Sequence, residues 1–198
     1  HKYSRGKVIV IGSQSNMIGS TMLSSEAALR VGTGSVKIIC SKKTLPIYSL
    51  KFPSVLKVEI NNFNLFKKLI IKEKNSVFLI GPGSGVNNLK KKKTKYILNN
   101  VKYAIIDADA LTCFKKNPNE LYNLLDENKI ITPHIKEFHS IFPSISRKIS
   151  NYEKIVRASK LCKCTIVLKG ANTLICSPFG KIVINKHTSS ELAVIGSG

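Results

Sequence analysis

Short apolar runs alternate with amphipathic segments along almost the whole chain. Runs rich in Val, Ile and Leu predict buried strands at 7–11, 35–40, 55–60, 76–80, 103–106, 129–131, 165–168, 173–176 and 181–184. Apolar residues at helical spacing predict helices at 20–31, 64–71, 89–98 and 152–161, with another beginning in 107–111. Apolar strands that alternate with helices are typical of a mostly parallel sheet covered on both faces. We therefore predict a three-layer α/β fold.

The organisation of the chain indicates one domain. No internal repeat, linker or shift in composition divides the 198 residues, so a single domain over 1–198 is expected. A hydrophobic fraction of 43% excludes a disordered protein. No apolar run approaches the ~20 residues that span a bilayer, and we expect no membrane partner.

The net charge of +21 suggests an anionic partner, but the residue types weaken that suggestion. Only four of the 32 basic residues are Arg, the side chain that recognises phosphates and base edges in a bidentate manner. The densest run is Lys90 to Lys93 with Lys95, and no aromatic residues interleave it for base stacking. We expect no nucleic-acid partner and interpret the run as a solvated helix face or a general attraction for an anionic ligand.

The five cysteines and the chain ends carry two further expectations. The cysteine number is odd, no CxxC pair or zinc-ligand spacing is present, and we predict a reducing, cytoplasmic compartment without a metal site formed by this chain. The sequence starts at His1 and ends in a glycine turn, Gly196-Ser197-Gly198, so we expect it to be C-terminally incomplete.

Polar and glycine-rich segments follow several predicted strands directly. Ligands of parallel α/β sheets bind at the carboxyl ends of the strands, so these segments are expected to share one edge. The segments are 12–19, 81–85, 107–109, 132–134 and 169–170.

Each segment allows a structural and a functional interpretation. The loop Gly81-Pro82-Gly83-Ser84-Gly85 is either a tight turn or a loop whose backbone N–H groups approach a phosphate. Asp107 and Asp109 either cap the following helix or face a ligand. In Thr132-Pro133-His134, Thr132 or Pro133 opens a helix, and His134 is either structural or a substrate contact.

Two segments point to a nucleotide. Lys169 and Gly170 after a strand suit a phosphate or base contact, although a solvated Lys before a turn glycine is equally compatible. Gly196-Ser197-Gly198 is compatible with the N-terminus of an anion-holding helix.

Taken in order, these motifs resemble the ADP/ATP-dependent NAD(P)H-hydrate dehydratase family of the ribokinase-like superfamily. The resemblance covers the chain from His1 to Gly198. It rests on HKYSRG before VIVIG, GPGSG at 81–85, DADAL at 107–111, TPH at 132–134 with Glu137-Phe138, and LKGA at 168–171.

The resemblance implies a ribokinase-like fold and a repair activity. Such enzymes restore the S form of hydrated NADH or NADPH. ADP or ATP, with Mg²⁺, phosphorylates the C6 hydroxyl of the hydrate, and loss of phosphate regenerates the nicotinamide. The family also implies a homo-oligomer, often a tetramer.

The resemblance further implies roles for individual residues. The hydrate would be contacted by Ser20, Gly83, Gly85 and His134. The nucleotide would be bordered by Lys169, Gly170, Ala171, Asn172, Thr173 and Gly198. The family's general base is an Asp directly after the final glycine turn, so no catalytic residue is expected within the chain. Without that base we expect a ~10²–10⁴-fold loss of turnover.

Several positions depart from the family pattern. Gly12-Ser13-Gln14 stands for Gly-Gly-Ser, Lys136 replaces a glycine, and Thr188-Ser189-Ser190-Glu191 stands for Gly-Asn-Pro-Gly. The family's last helices and an upstream epimerase domain are also not found in the chain. Two alternatives therefore stay open, a ribokinase-like kinase acting on a vitamin precursor and a non-catalytic remnant of the family.

Overall fold

A nine-stranded sheet forms the centre of the protein in the computed structural model, which describes residues 5–185. Its strands are β1 (Lys7–Ile11), β2 (Ser35–Cys40), β3 (Leu56–Glu59), β4 (Val77–Ile80), β5 (Tyr103–Ile106), β6 (Lys129–Ile131), β7 (Thr165–Leu168), β8 (Thr173–Cys176) and β9 (Ile182–Asn185). The helices are α1 (Ile18–Arg30), α2 (Leu45–Lys51), α3 (Phe63–Lys72), α4 (Asn88–Asn100), α5 (Asp109–Thr112), α6 (Asn119–Tyr122), α7 (Ile135–Ile141) and α8 (Asn151–Cys162).

The strand order determines where a ligand can bind. The order is β3-β2-β1-β4-β5-β6-β7-β8-β9, with parallel pairing from β3 to β7 and antiparallel pairing of β8 and β9. The direction of winding reverses between β1 and β4, where Val8 pairs with Val36 on one side and Val77 on the other. Such a reversal opens a crevice at the carboxyl ends of the strands.

Alternation along the strands separates two apolar cores. Ile9 and Ile11 of β1 face the larger core, which includes Phe66 of α3 and buried residues of α4, α7 and α8. Val10 faces the smaller core around Tyr48 of α2, with α1 packed against it. Helices thus cover both faces of the sheet, and the predicted three-layer, mostly parallel α/β fold is confirmed. Within residues 5–185 no helix is both long and apolar enough to cross a membrane.

The lysine-rich helix α4 is less solvated than its sequence suggests. The ammonium of Lys92 lies 4.7 Å from the centre of the Phe63 ring, and that of Lys93 lies 4.9 Å from the Phe66 ring. Lys91 and Lys95 share the carboxylate of Glu120. The ammonium groups of Lys92 and Lys93 therefore lie over aromatic rings of α3, the arrangement of a cation–π contact.

At the end of α3, the buried carboxylate of Glu73 connects this helix to two strands. It accepts hydrogen bonds from Lys37 of β2, from Lys7 of β1 at 2.9 Å, and from the Ser76 hydroxyl at 3.3 Å. Burial acts to raise the pKa of Glu73, but the hydrogen bonds from the two lysines outweigh it and lower the pKa from 4.5 to about 2. The ionised carboxylate is therefore stabilised by the fold.

We expect Glu73 to make folding stability depend on acid pH. A carboxyl group whose pKa is depressed by folding contributes stability above its unfolded pKa of 4.5 and loses it as the pH falls toward about 2. Replacing Glu73 with Gln should remove about 2 kcal/mol at neutral pH and flatten the stability profile between these values. Urea unfolding across this range measures the effect, with Glu26→Gln, on an exposed pair with Arg30, as the control. If the unfolding free energy changed equally with pH in wild type and Glu73→Gln, the lowered pKa of Glu73 would be contradicted.

Candidate active site

The segments at the carboxyl ends of the strands are joined to one another by hydrogen bonds. The N–H of Gln14, after β1, donates to the Gly83 carbonyl after β4 at 2.8 Å. The N–H of Lys169, after β7, donates to the Pro133 carbonyl after β6 at 2.9 Å. The expected gathering of these segments at one edge is therefore present in the structure.

The glycine loop at 81–85 is enclosed by the segment that follows β1. The Ser20 hydroxyl donates to the Pro82 carbonyl at 3.1 Å and to the Met17 carbonyl at 2.8 Å. The side-chain amide of Gln14 donates to the Ser84 carbonyl at 3.3 Å. Backbone carbonyls of the loop thus face these donors, and Ser20 keeps acceptor capacity on its oxygen.

Two glycines of the loop are required by close packing. Gly83 and Gly85 have φ of +61° and +77°, values that residues other than glycine rarely adopt. A Cβ on Gly83 would lie 2.6 Å from Ser20 Oγ, and one on Gly85 would lie 1.7 Å from Gln14 Nε2. The tight-turn interpretation therefore accounts for both glycines.

Asp107 and Asp109 do not cap the helix that follows them. α5 has Ala108 at its N-cap without a side-chain hydrogen bond, so the capping interpretation is wrong. Instead Asp107 Oδ1 accepts a hydrogen bond from Lys169 Nζ at 2.7 Å, and Asp109 Oδ2 accepts one from the Gly85 N–H at 2.8 Å. Ala108 between them has φ of 47°, a conformation that costs about 1–3 kcal/mol and persists only where surrounding contacts hold it.

His134 begins α7. Its Nδ1 accepts hydrogen bonds from the N–H groups of Lys136 at 3.1 Å and Glu137 at 3.2 Å, while the Glu137 carboxylate accepts from the His134 N–H at 2.9 Å. The expectation that Thr132 or Pro133 opens the helix is therefore wrong, because the N-cap is His134. Because Nδ1 accepts these bonds, Nε2 is the ring nitrogen that can act as a donor. It lies 3.5 Å from Glu137 Oε1, and the half-exposed side chain leaves it open to a ligand as well.

The segment predicted to border the nucleotide forms the turn between β7 and β8. Lys169 directly follows β7, and its ammonium is anchored by Asp107, which follows β5, two strands away in the sheet. The Thr173 hydroxyl donates to the Gly170 carbonyl at 3.1 Å, and Ala171 and Asn172 form the tip of the turn. Gly198 and the 188–191 segment lie outside the described residues.

Sequence reasoning noted Gln14 only as a departure from a family pattern, yet it contacts the glycine loop through both backbone and side chain. The sequence signal for this contact is the Gln at position 14 itself, because its long side chain needs space and Gly85, which has no side chain, supplies it. Within residues 5–185, no group of three or more His, Cys, Asp or Glu side chains is arranged to hold a metal ion.

Comparison with known proteins agrees with this arrangement. The family model described as NAD(P)H-hydrate dehydratase matches residues 8–198. A bifunctional NAD(P)H-hydrate repair enzyme of Dictyoglomus turgidum is 27% identical over 210 residues, which cover all of this chain and 40% of that protein. An ADP-dependent (S)-NAD(P)H-hydrate dehydratase of Staphylococcus aureus is 29% identical over 176 residues, covering 87% of this chain and 62% of that one.

A solved structure supports the fold. The ADP/ATP-dependent NAD(P)H-hydrate dehydratase of Bacillus subtilis, crystallised with ATP and Mg²⁺, has a TM-score of 0.77 at 22% identity over 99% of this chain and 69% of its own. The chain thus spans about one third to two thirds of the length of the curated relatives it matches. Because the family model matches nearly its whole length, this chain belongs to the NAD(P)H-hydrate dehydratase family.

Proposed function

We propose that the protein repairs the S form of hydrated NADH or NADPH, using ADP or ATP to phosphorylate the C6 hydroxyl and eliminating phosphate to restore the nicotinamide. One observation carries the proposal. In a chain of this family, hydrogen bonds link the glycine loop, the segment before His134 and the Lys169 turn at one edge of the sheet. The Staphylococcus aureus relative carries this activity in its name.

The site residues divide into two groups in this proposal. Ser20, Gly83, Gly85 and His134 contact the hydrate on the side of the glycine loop, where His134 Nε2 donates a hydrogen bond. Lys169 to Thr173 border the nucleotide, with Gly198 at its phosphates. Mg²⁺ would reach the site with the nucleotide, whose phosphate oxygens are its preferred ligands. Phosphoryl transfer then depends on positioning and charge neutralisation more than on covalent chemistry by the protein.

No carboxylate of the described site is assigned as the general base. Asp107 is paired with Lys169 and Asp109 accepts the Gly85 N–H, so both carboxylates are engaged in holding the site together. The family resemblance puts the base directly after Gly198, outside residues 5–185. Without the base, His134 and the Lys169 turn would still bind and orient the ligands.

The setting of the enzyme is part of the proposal. We place one such domain over 1–198, in the cytoplasm, within a homo-oligomer and without nucleic acid. The five free cysteines, four of them buried, support a reducing compartment. The Lys92 ammonium lies over the Phe63 ring and the Phe66 ring near Lys93 is fully buried, which argues against base stacking along the lysine run.

The decisive experiment supplies hydrated NADH with ADP or ATP to the full-length gene product and follows the recovery of dihydronicotinamide absorbance. Recovery that depends on the nucleotide supports the proposal. A folded protein that restores no NADH while phosphorylating a vitamin-precursor alcohol would identify a kinase instead. A folded protein that binds neither nucleotide nor hydrate would be a non-catalytic remnant.

His134 variants separate helix capping from ligand binding. Asn also caps helices well, so His134→Asn should keep the stability that His134→Ala loses, which is about 1 kcal/mol. Both variants should raise the KM for hydrated NADH by about tenfold, the effect of losing one hydrogen bond to ligand. Thermal unfolding and steady-state kinetics measure the two effects. If His134→Asn kept the wild-type KM, the imidazole would have no role beyond the cap.

A further inference from the structure

A carboxylate holds the glycine loop in addition to Gln14 and Ser20. Asp109 Oδ2 accepts the Gly85 N–H at 2.8 Å across 24 residues of sequence. Gly85 ends the loop and has φ of +77°, so its N–H direction is set by a backbone conformation that requires glycine. This N–H is therefore engaged within the protein, and it is not a free donor for a phosphate.

The backbone of Ala108 directs Asp109 toward the loop. At φ 47° and ψ −119° Ala108 turns the chain sharply between two carboxylates that contact different segments. Asp107 binds Lys169 on the proposed nucleotide side, and Asp109 binds Gly85 on the proposed hydrate side. A disfavoured conformation in a non-glycine residue indicates that the positions of these carboxylates matter.

The charge of Asp109 is unfavourable for the proposed ligand. A hydrated dinucleotide carries negative phosphates, and a nearby carboxylate repels them. The benefit of Asp109 must therefore come from the geometry of its hydrogen bond, which fixes Gly85 and, through the loop, Gly83.

We infer that Asp109 is a positioning residue for the hydrated nicotinamide nucleotide, acting through the Gly85 N–H to hold the glycine loop in its binding conformation. This inference rests on the proposed function. It assigns to Asp109 an effect on the hydrate and none on the nucleotide, because the nucleotide side is anchored separately through Asp107 and Lys169.

The test compares Asp109→Ala with Asp109→Asn in the full-length protein. Asp109→Ala removes the acceptor and should raise the KM for hydrated NADH about tenfold, while the KM for ADP and kcat change by less than about threefold. Asp109→Asn keeps an acceptor oxygen and removes the repulsive charge, so its KM for the hydrate should lie within about threefold of wild type. Glu127→Ala, which removes an exposed carboxylate just before β6, is the control.

The outcomes separate the inference from the proposed function. If wild type restores hydrated NADH and Asp109→Ala keeps the wild-type KM for the hydrate, the inference alone is overturned. An equal rise in both KM values, with a lowered melting temperature and no rescue by Asn, would show a merely structural role and also overturn it. If the wild-type protein converts no hydrated NADH to NADH with either nucleotide, the proposed function fails and the assignment of Asp109 fails with it.

Discussion

Gly81→Ala is expected to destabilise the protein by more than ~3 kcal/mol, because backbone strain and a steric clash act at the same position. Gly81 has φ of +131°, and a Cβ there would lie 1.7 Å from the Asp107 carbonyl oxygen and 2.7 Å from its carbonyl carbon. A backbone atom cannot rotate away as a side chain can. The Asp107 N–H also donates to the Ile80 carbonyl at 3.1 Å, which holds this segment beside β4.

A second glycine separates the two causes. Gly180, in the turn between β8 and β9, has φ of +84°, but a Cβ added there would meet no atom of residues 5–185 within 4 Å. Gly180→Ala should therefore cost only about 1–2 kcal/mol, the strain of the left-handed conformation alone. Chemical denaturation of both variants measures the difference. Similar losses of unfolding free energy in the two variants would show that the Asp107 backbone moves away from the added Cβ at no energetic cost.

The strands of this fold could be predicted because a strand that is buried on both faces is a nearly continuous apolar run in the sequence. Runs such as 7–11, 35–40 and 103–106 consist mostly of apolar or β-branched residues, and the structure gives the predicted bounds for each. The three-layer arrangement followed from their alternation with helices. Nothing in those runs indicated that β8 and β9 would turn antiparallel, because pairing direction depends on the connections between strands.

The short helices α2 and α6 could not be predicted in the same way. α2 spans seven residues and buries only Tyr48, while α6 spans four residues and buries only Leu121. A helical period is hardly visible over one or two turns, and such helices are stabilised by the cores they contact. The contacts of the lysine run could not be predicted either, because the rings that Lys92 and Lys93 contact belong to another helix, α3.

The location of the candidate site could be predicted, but the contacts within it could not. Parallel strands end at one edge, so motifs that follow them meet there whatever their side chains do. The partners of the two aspartates lie 24 and 62 residues away, and only the tertiary structure selects Gly85 and Lys169 among the available donors. Local sequence supported a helix cap equally well, which is why that interpretation stayed open.

Lys129→Ala is expected to destabilise the protein by about 3–5 kcal/mol, through unpaired carbonyls and a cavity together. The Lys129 side chain is 2% exposed, and its ammonium donates to the Val101 carbonyl at 3.1 Å, the Lys102 carbonyl at 2.9 Å and Asp126 Oδ2 at 3.0 Å. All three donors of the ammonium are satisfied, and two of them bind the chain just after α4. The buried charge therefore connects the start of β6 to the end of that helix.

Lys129→Met distinguishes the two contributions, because it keeps most of the buried stem and removes only the donors. Its expected loss is about 2 kcal/mol, the cost of leaving buried carbonyls without partners. Equilibrium urea unfolding measures both variants. A Lys129→Met protein as stable as wild type would show that water replaces the ammonium without cost. Lys129 begins β6 at the edge opposite His134, so the folded fraction of either variant should keep the wild-type KM for hydrate and nucleotide.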